Sequence, residues 1–505
     1  MLVKVESIAL SGIQTIGVTV EVNVFNRGLP TFDIVGLPAK SIEESKHRIK
    51  AAFVNTNLEF PSKKIVTNLA PADINKEGSF YDLPIAVGLY SAVFGVKVPD
   101  KSLFFGEISL GGGVRHTKGA LLLALYAREK GIKNIYIPSA CSNEAAVVKG
   151  IKVYGVSSLE QLFQHLSGEI KIQPVSKISN PPQQKKRSED YVDFKDVHGQ
   201  MQVKRALEIC AGGGHNIILV GPPGVGKTLL ARALLSILPP LSESESIEVT
   251  KIYTSVGKVP PHGSLMYQRP FRSPHHTISY AGMIGGGTNP SPGEVSLSHR
   301  GVLFMDEFSE FSRAVLETLR QPLEDGFVTI SRSKGSLTFP SRFTLVASSN
   351  PCPCGYLGHA HNKCKCTRNR INLYRRRFSG PIMDRIDLHV TVHPVEFSEM
   401  NQKSSETSRT IKERVVRARD TQLRRFSNDG VYCNSEMTNT LINKYCDLSS
   451  DTKSLLQLSS EKFGLSTRAY FKIIKIARTI ADLSKSENIK ETHMAEAIQY
   501  RGRMV

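Results

Sequence analysis

One short run constrains this chain more than any other: Gly221-Pro-Pro-Gly-Val-Gly-Lys-Thr228, set between an apolar stretch, Asn216-Ile-Ile-Leu-Val220, and a helical one, Leu229–Leu238. A strand that turns through a glycine-rich loop into a helix aims several backbone N–H groups at one spot, and that spot binds phosphate. Gly221, Pro222, Pro223, Gly224, Val225 and Gly226 form the cradle. Lys227 reaches the β- and γ-phosphates, and the Thr228 hydroxyl ligates Mg2+. A ligand-free glycine turn is the bland alternative, and the strand–loop–helix order weighs against it. The run also commits its neighbourhood to an α/β layer with a parallel sheet.

Two more apolar strands end in chemistry. Val302-Leu-Phe-Met305 runs into Asp306-Glu307, and Thr344-Leu-Val-Ala347 runs into Ser348-Ser-Asn350. Asp306 suits the metal's outer shell, Glu307 can polarise an attacking water, and Asn350 can orient it. An acidic pair can also cap a helix, but this one terminates a fully apolar strand. Three strands that deliver polar groups at their carboxyl ends make one nucleotide crevice. The chain reads as an ATPase.

Length asks for more than one core: 505 residues predict roughly three domains. The stretch 171–190, KIQPVSKISNPPQQKKRSED, has adjacent prolines and no apolar period, and reads as a linker. Residues 1–170 form an α/β domain, 191–395 the ATPase domain with a cysteine-rich insertion at 351–367, and 396–505 a helical lid. Lys and Arg exceed Asp and Glu by 19, which suggests a polyanionic partner, nucleic acid first. A generally basic surface is the competing explanation. No apolar run is long enough to span a membrane, and the start, MLVKVESIALSGI, lacks a sustained apolar segment, so a cytoplasmic protein is expected.

The phosphate loop, the VLFMDE strand, the strand ending at Asn350 and Ser466-Thr-Arg468 together resemble an AAA+ motor. Gly380-Pro-Ile-Met-Asp-Arg385-Ile-Asp-Leu388 resembles the arginine-finger segment of magnesium-chelatase ATPases and minichromosome-maintenance helicases. By that resemblance Arg385 reaches the γ-phosphate bound in a neighbouring subunit and Arg468 is a second sensor; a surface salt bridge is the alternative for either alone. Further runs extend the likeness over the whole chain: Phe32-Asp-Ile-Val-Gly-Leu-Pro38, Asn68-Leu-Ala-Pro-Ala-Asp73, Arg269-Pro-Phe-Arg-Ser-Pro-His-His276, Asn350-Pro-Cys-Pro-Cys-Gly355, Thr467-Arg-Ala-Tyr470 and Ala477-Arg-Thr-Ile-Ala-Asp482. They resemble the ComM/YifB-type magnesium-chelatase-like proteins linked to bacterial competence. The resemblance implies a homohexamer that drives DNA branch migration during natural transformation, alongside competence or recombination proteins. A chelatase-type motor that remodels a protein partner is the second reading, and an ATP-dependent protease the third.

The third reading meets an obstacle in the first domain. Asn75-Lys-Glu-Gly-Ser-Phe-Tyr-Asp82 and Gly106-Glu-Ile-Ser-Leu110 resemble the proteolytic domain of Lon proteases, whose serine depends on a lysine. In that register Phe80 stands at the serine and Leu121 at the lysine, with Ser79 and Lys118 nearby but out of place. Neither Phe nor Leu can attack a carbonyl or accept a proton, so the resemblance implies the fold without the reaction.

Cys352, Cys354, Cys364 and Cys366 crowd into fifteen residues and offer four thiolates, enough for a tetrahedral Zn2+ site. Buried free thiols are the alternative, and His359 and His361 inside the loop could each replace a thiolate. Lys363 to Arg377 follows with seven basic residues and no acid. Phe327–Phe339 alternates in two halves around a glycine-containing turn, the pattern of a hairpin. It resembles the pore hairpin of the helicase relatives, which would put Arg332 and Lys334 at its tip against DNA; ordinary solubilising charges are the alternative. The paired His275 and His276 read as packing or pore-contact residues rather than metal ligands.

Overall fold

The computed structural model describes residues 1–56, 58–74, 76–175, 192–258, 265–287, 290–332, 335–359, 362–377, 380–395 and 406–501. Its chain forms two compact units, Met1–Gln184 with Ser246–Met266, and Lys185–Glu245 with Tyr267–Val505. Of the stretch read as a linker, 176–190 lies outside the described residues. Among the described residues no helix is long and apolar enough to cross a membrane.

The first unit is built on a seven-stranded sheet. Its strands are β1 (Leu2–Ser11), β2 (Gln14–Phe25), β3 (Phe32–Val35), β4 (Lys64–Ala70), β5 (Ser102–Phe104), β6 (Asn134–Pro138) and β7 (Lys152–Val156), in the order β3-β4-β2-β1-β5-β6-β7. Alternation sets the faces of β1 and β2: Val18, Val20, Val22 and Val24 are buried while their neighbours reach the other side. The helix α1 (Ser45–Asn55) carries Arg48, and α2 (Asp82–Phe94) is apolar nearly all round. Asp82, buried at the start of α2, receives a two-pronged bond from Arg48 at 2.7 and 2.9 Å and the Ile108 N–H at 3.2 Å. A carboxylate can be buried there because its acceptor sites are filled. Two further helices of this unit are α3 (Ala120–Glu129) and α4 (Leu159–Ser167).

Ser246–Met266 belongs to this unit although it lies inside the 191–395 span assigned from sequence to the motor. The reason is local: Leu265 and Ile247 join the first unit's core, and the Thr254 hydroxyl donates to the buried Glu144 carboxylate at 3.2 Å. A short-range pattern marks the helix Glu243–Ser255 that runs into this segment but not the core it will enter.

The second unit holds a five-stranded sheet of β8 (Ile217–Val220), β9 (Phe271–Arg272), β10 (Val302–Met305), β13 (Thr344–Ser349) and β14 (Leu388–Thr391), with β11 (Phe327–Arg332) and β12 (Gly335–Pro340) forming a separate hairpin. The sheet order is β9-β10-β13-β8-β14, and every neighbouring pair is parallel. The continuous apolar runs of β8 and β10 follow, since both faces of a parallel sheet are covered. Register brings Val220 opposite Ser349 and Met305 opposite Ala347, so the three polar strand ends emerge side by side.

The longer helices of this unit are α5 (Met201–Gly213), α6 (Lys227–Ile237), α7 (Arg368–Arg375), α8 (Ser408–Arg425), α9 (Ser450–Phe463), α10 (Thr467–Leu483) and α11 (Glu491–Gln499). Ser466 caps α10 by accepting the Ala469 N–H. Ile473, Ile474, Ile476, Ala477 and Ile480 bury one face of α10. Each buried isoleucine contributes roughly 1.5–3 kcal/mol.

Candidate ATP site and its surroundings

The phosphate loop connects β8 to α6 with Gly226 at φ 84°, a conformation that favours glycine. Gly221 is required for a different reason: a Cβ there would collide with the Val392 carbonyl. Lys227 Nζ donates to the carbonyls of Gly221 and Pro222 at 2.7 and 2.8 Å and to Asn350 Oδ1 at 3.0 Å. Its acceptors are all neutral, so the ammonium keeps its charge for an incoming phosphate. Burial pulls the Lys227 pKa below its ordinary value, against the opposing pull of Asp306 and Glu307.

Thr228 Oγ1 donates to Asp306 Oδ2 at 2.9 Å, and the other Asp306 oxygen accepts from Ser348 Oγ and from the Glu307 N–H. A hydroxyl and a carboxylate held at this distance supply the hard oxygen donors that Mg2+ takes. Glu307 itself sits at φ 50°, and its side chain is open to the crevice at 59% exposure. Its carboxylate lies 3.6 Å from His276 Nδ1. The structure therefore brings Lys227, Thr228, Asp306, Glu307 and Asn350 together. His276 stands beside this group and also packs edge-on against Phe311 at 6.5 Å: β9 pairs beside β10, which puts the residues after Arg272 next to the end of the acidic strand. His275, its ring tilted against that of His276 at 4.1 Å, bonds to Thr277 instead.

Arg385 and Arg468 are brought together elsewhere. Both guanidinium groups pair with one carboxylate, Glu324, Arg385 on Oε2 and Arg468 on Oε1. This cluster lines a cavity of about 580 Å3 in which none of the phosphate-loop residues takes part. Behind it, Lys472 of α10 donates to the Arg385 carbonyl and to Asp387 Oδ1, each at 2.5 Å. Asp387 also accepts the Asn216 N–H at 2.8 Å, one residue before β8. Burial disfavours the Asp387 carboxylate, but Lys472 and His215 outweigh it and hold the group well below the usual range.

Cys352, Cys354, Cys364 and Cys366 converge, with all four sulfurs within 4.8 Å of one another. Three of the Sγ–Sγ separations are 3.4, 3.7 and 3.6 Å. A tetrahedron of sulfurs about 2.3 Å from a central Zn2+ has edges of about 3.8 Å, so the donor set fits such an ion. Backbone N–H groups of Tyr356 and Lys365 pull the Cys354 thiol down to about 6, whereas burial and the crowding of neighbouring thiols push Cys364 and Cys366 up, so the four share protons as one set. His361 lies outside the described residues, and His359 bonds to the Asn362 N–H. The loop seats on the phosphate loop: a Cβ on Gly355 would lie 2.6 Å from Pro223 Cδ.

In the first unit, Phe80 stacks on Phe105 at 4.4 Å and Leu121 is fully buried, so apolar packing fills both positions of the serine–lysine pair. Ser79 bonds instead to Glu107, and Lys118 packs near Gly257. In the hairpin, Arg332 ends β11 and pairs with Gly335, so that glycine lies in a strand rather than in the turn. Lys334 lies outside the described residues.

Sequence reasoning missed Ser348, His276, Glu324 and Tyr374. Ser348 and His276 stood inside motifs already singled out, one residue or a few from a named group. Glu324 had no local signal, and neither did Tyr374, whose buried hydroxyl lies 2.6 Å from Ser309 Oγ and 3.5 Å from Ser349 Oγ.

Known proteins are similar in sequence to this chain, two of them over nearly all of it. The family described as magnesium chelatase, subunit ChlI, matches residues 193–400, the subunit ChlI of Mg-chelatase family matches 20–141, and the subunit ChlI C-terminal family matches 405–501. The protein YifB of Salmonella typhimurium is 39% identical over 498 residues, covering 98% of this chain and 96% of YifB. Competence protein ComM of Haemophilus influenzae is 38% identical over 501 residues, 98% of this chain and 97% of ComM. The magnesium-chelatase 38 kDa subunit of Rhodobacter capsulatus is 26% identical over 176 residues, 31% of this chain and 50% of that subunit. With the parallel sheet, the phosphate loop and the paired acidic strand end already in place, this likeness makes the chain a member of the ComM/YifB family of magnesium-chelatase-like AAA+ ATPases.

Proposed function

We propose that the chain is an ATP-driven DNA motor that works as a homohexamer and drives branch migration during the integration of DNA in natural transformation. The observation that carries the motor is the convergence of Lys227, Thr228, Asp306, Glu307 and Asn350 at the carboxyl ends of three parallel strands. The basic excess of 19 and the 38% identity to a competence protein favour DNA as the polymer it moves. Thr228 and, through its outer shell, Asp306 would hold Mg2+, which would supply positive charge against the phosphates. Lys227 exchanges its neutral acceptors for phosphate oxygens, Asn350 turns to the attacking water, and Glu307 takes that water's proton. Arg385 serves the nucleotide of a neighbouring subunit and Arg468 is a second sensor; a phosphate would take from Arg385 the place that Glu324 holds here. The four cysteines hold a structural Zn2+, with a closed set of sulfurs and no open position for chemistry.

Hydrolysis measured with no DNA, single-stranded DNA, duplex and a branched junction tests the reading. A rise on adding DNA, greatest with the branched form, is expected; identical rates in all four would refute it. The matched chelatase families favour a second reading, a motor that remodels a protein partner, and a rate raised by protein but by no DNA would support that one.

A further inference from the structure

The basic segment after the cysteines is built into the ATP site. Lys363, Lys365, Arg368, Arg370 and Arg376 are exposed and have no carboxylate partner among the described residues, while Arg377 is spent on Glu310. On α7 one buried residue, Tyr374, anchors the helix within the second unit. Its hydroxyl meets Ser309, two residues beyond Glu307, and Ser349, one residue before Asn350. At its other end the segment starts from the cysteine cluster, whose Gly355 presses on Pro223 of the phosphate loop. The same short module thus touches all three parts of the nucleotide crevice while presenting five unpaired cations to solvent.

We infer that Lys363, Lys365, Arg368, Arg370 and Arg376 form a nucleic-acid backbone site coupled to ATP hydrolysis through the Tyr374 hydroxyl. The inference rests on the DNA-motor reading and adds to it a contact surface distinct from the hairpin. Phosphates suit the site because solitary cations along a loop and a helix read charge without base identity. A pull on α7 by bound phosphates is passed through Tyr374 to the backbone that carries Glu307 and Asn350. Tyr374 is a positioning residue here, since it touches neither nucleotide nor DNA.

Two variants of the full chain test this, with labelled single-stranded and duplex oligonucleotides as probes at several salt concentrations. Changing the five cations to Gln should weaken binding of both probes at least tenfold and flatten the salt slope by about 2 or more, given about 0.7–0.9 per lost phosphate contact. Tyr374→Phe should bind both probes within about twofold of the parent and melt like it, yet lose most of the ratio of DNA-stimulated to DNA-free hydrolysis. If the five-fold change does not melt cooperatively, Lys363→Gln with Lys365→Gln and Arg368→Gln with Arg370→Gln are measured separately, and each should flatten the slope. Unchanged affinity and slope with a DNA-binding parent would overturn the site and leave the motor reading standing. Full stimulation in Tyr374→Phe would overturn the coupling. Loss of binding to phosphatidylserine vesicles with DNA binding intact would assign the patch to a membrane surface instead. A parent that neither binds DNA nor responds to it would bring down the motor reading itself.

Discussion

Lys472→Met should destabilise the second unit severely, and the size of the effect follows from what it leaves behind. Lys472 is the cation beside Asp387, whose side chain is only 8% exposed. Without it the carboxylate keeps the Asn216 N–H at 2.8 Å and His215 at 3.7 Å, but no lysine. Breaking one side of a buried ion pair costs roughly 3–5 kcal/mol, a large part of a domain's stability. Methionine preserves most of the stem's volume, so packing loss adds little. Asp387→Asn combined with Lys472→Met removes the stranded charge and should recover at least about 1 kcal/mol of that loss. The chain has no tryptophan, so urea unfolding is best followed by far-ultraviolet circular dichroism, with the shift in midpoint converted through the slope. The pH dependence has a definite sign. A carboxyl held below its unfolded value stabilises the native state above that value, and the benefit falls as the medium becomes acid, from about pH 5 toward about pH 1. Asp387→Asn should therefore flatten the acid limb of the stability curve. A Lys472→Met protein within about 1 kcal/mol of the parent, or an acid limb unchanged in Asp387→Asn, would refute the reasoning.

Lys227→Ala should lose nucleotide binding, whereas Glu307→Gln should bind ATP and hydrolyse it about 10²–10⁴ times more slowly, as equilibrium binding and steady-state rates would show. Protein purified without added metal should carry close to one zinc per chain by elemental analysis, and Cys364→Ser with Cys366→Ser should lose it and lower the melting temperature. Arg332→Gln with Lys334→Gln should flatten the salt dependence of DNA binding by about 0.7–0.9 per contact, with ATP binding retained; an unchanged slope would place the pore contacts elsewhere. Arg385→Ala subunits mixed with Lys227→Ala subunits should regain hydrolysis at hybrid interfaces, and rings shown to be mixed that stay inactive would count against a shared site.

The crevice was legible because its parts are strand ends. An apolar run that stops at Asp306 or Ser348 carries its meaning within a few residues, and parallel register then aligns the ends without further instruction. The cysteine cluster was legible for a similar reason, since its ligands sit on one short loop. Glu324 was not, because it lies 61 residues from Arg385 and 144 from Arg468, and only the folded chain makes them neighbours. Tyr374 was hidden among seven cations: one apolar contact in a basic run looks like noise until its hydroxyl is seen between two serines. His276 shows the intermediate case. The run that holds it was conspicuous, but its role depends on β9 pairing with β10, a two-residue strand too short to announce itself.

The loan of Ser246–Met266 to the first unit means the chain cannot be divided by cutting it once. A fragment stopping at the linker near 171–190 would lack Ile247 and Leu265 from its core and the Thr254 hydroxyl from Glu144. Apolar surface and a buried carboxylate would then face water, and such a fragment is prone to self-association. A protease nick in the linker would likewise leave the halves covalently tied through the later crossings at Glu245–Ser246 and Met266–Tyr267. During synthesis the first unit has to wait for the residues up to 266 to leave the ribosome before its fold can close, so the two halves mature as interleaved work rather than one after the other.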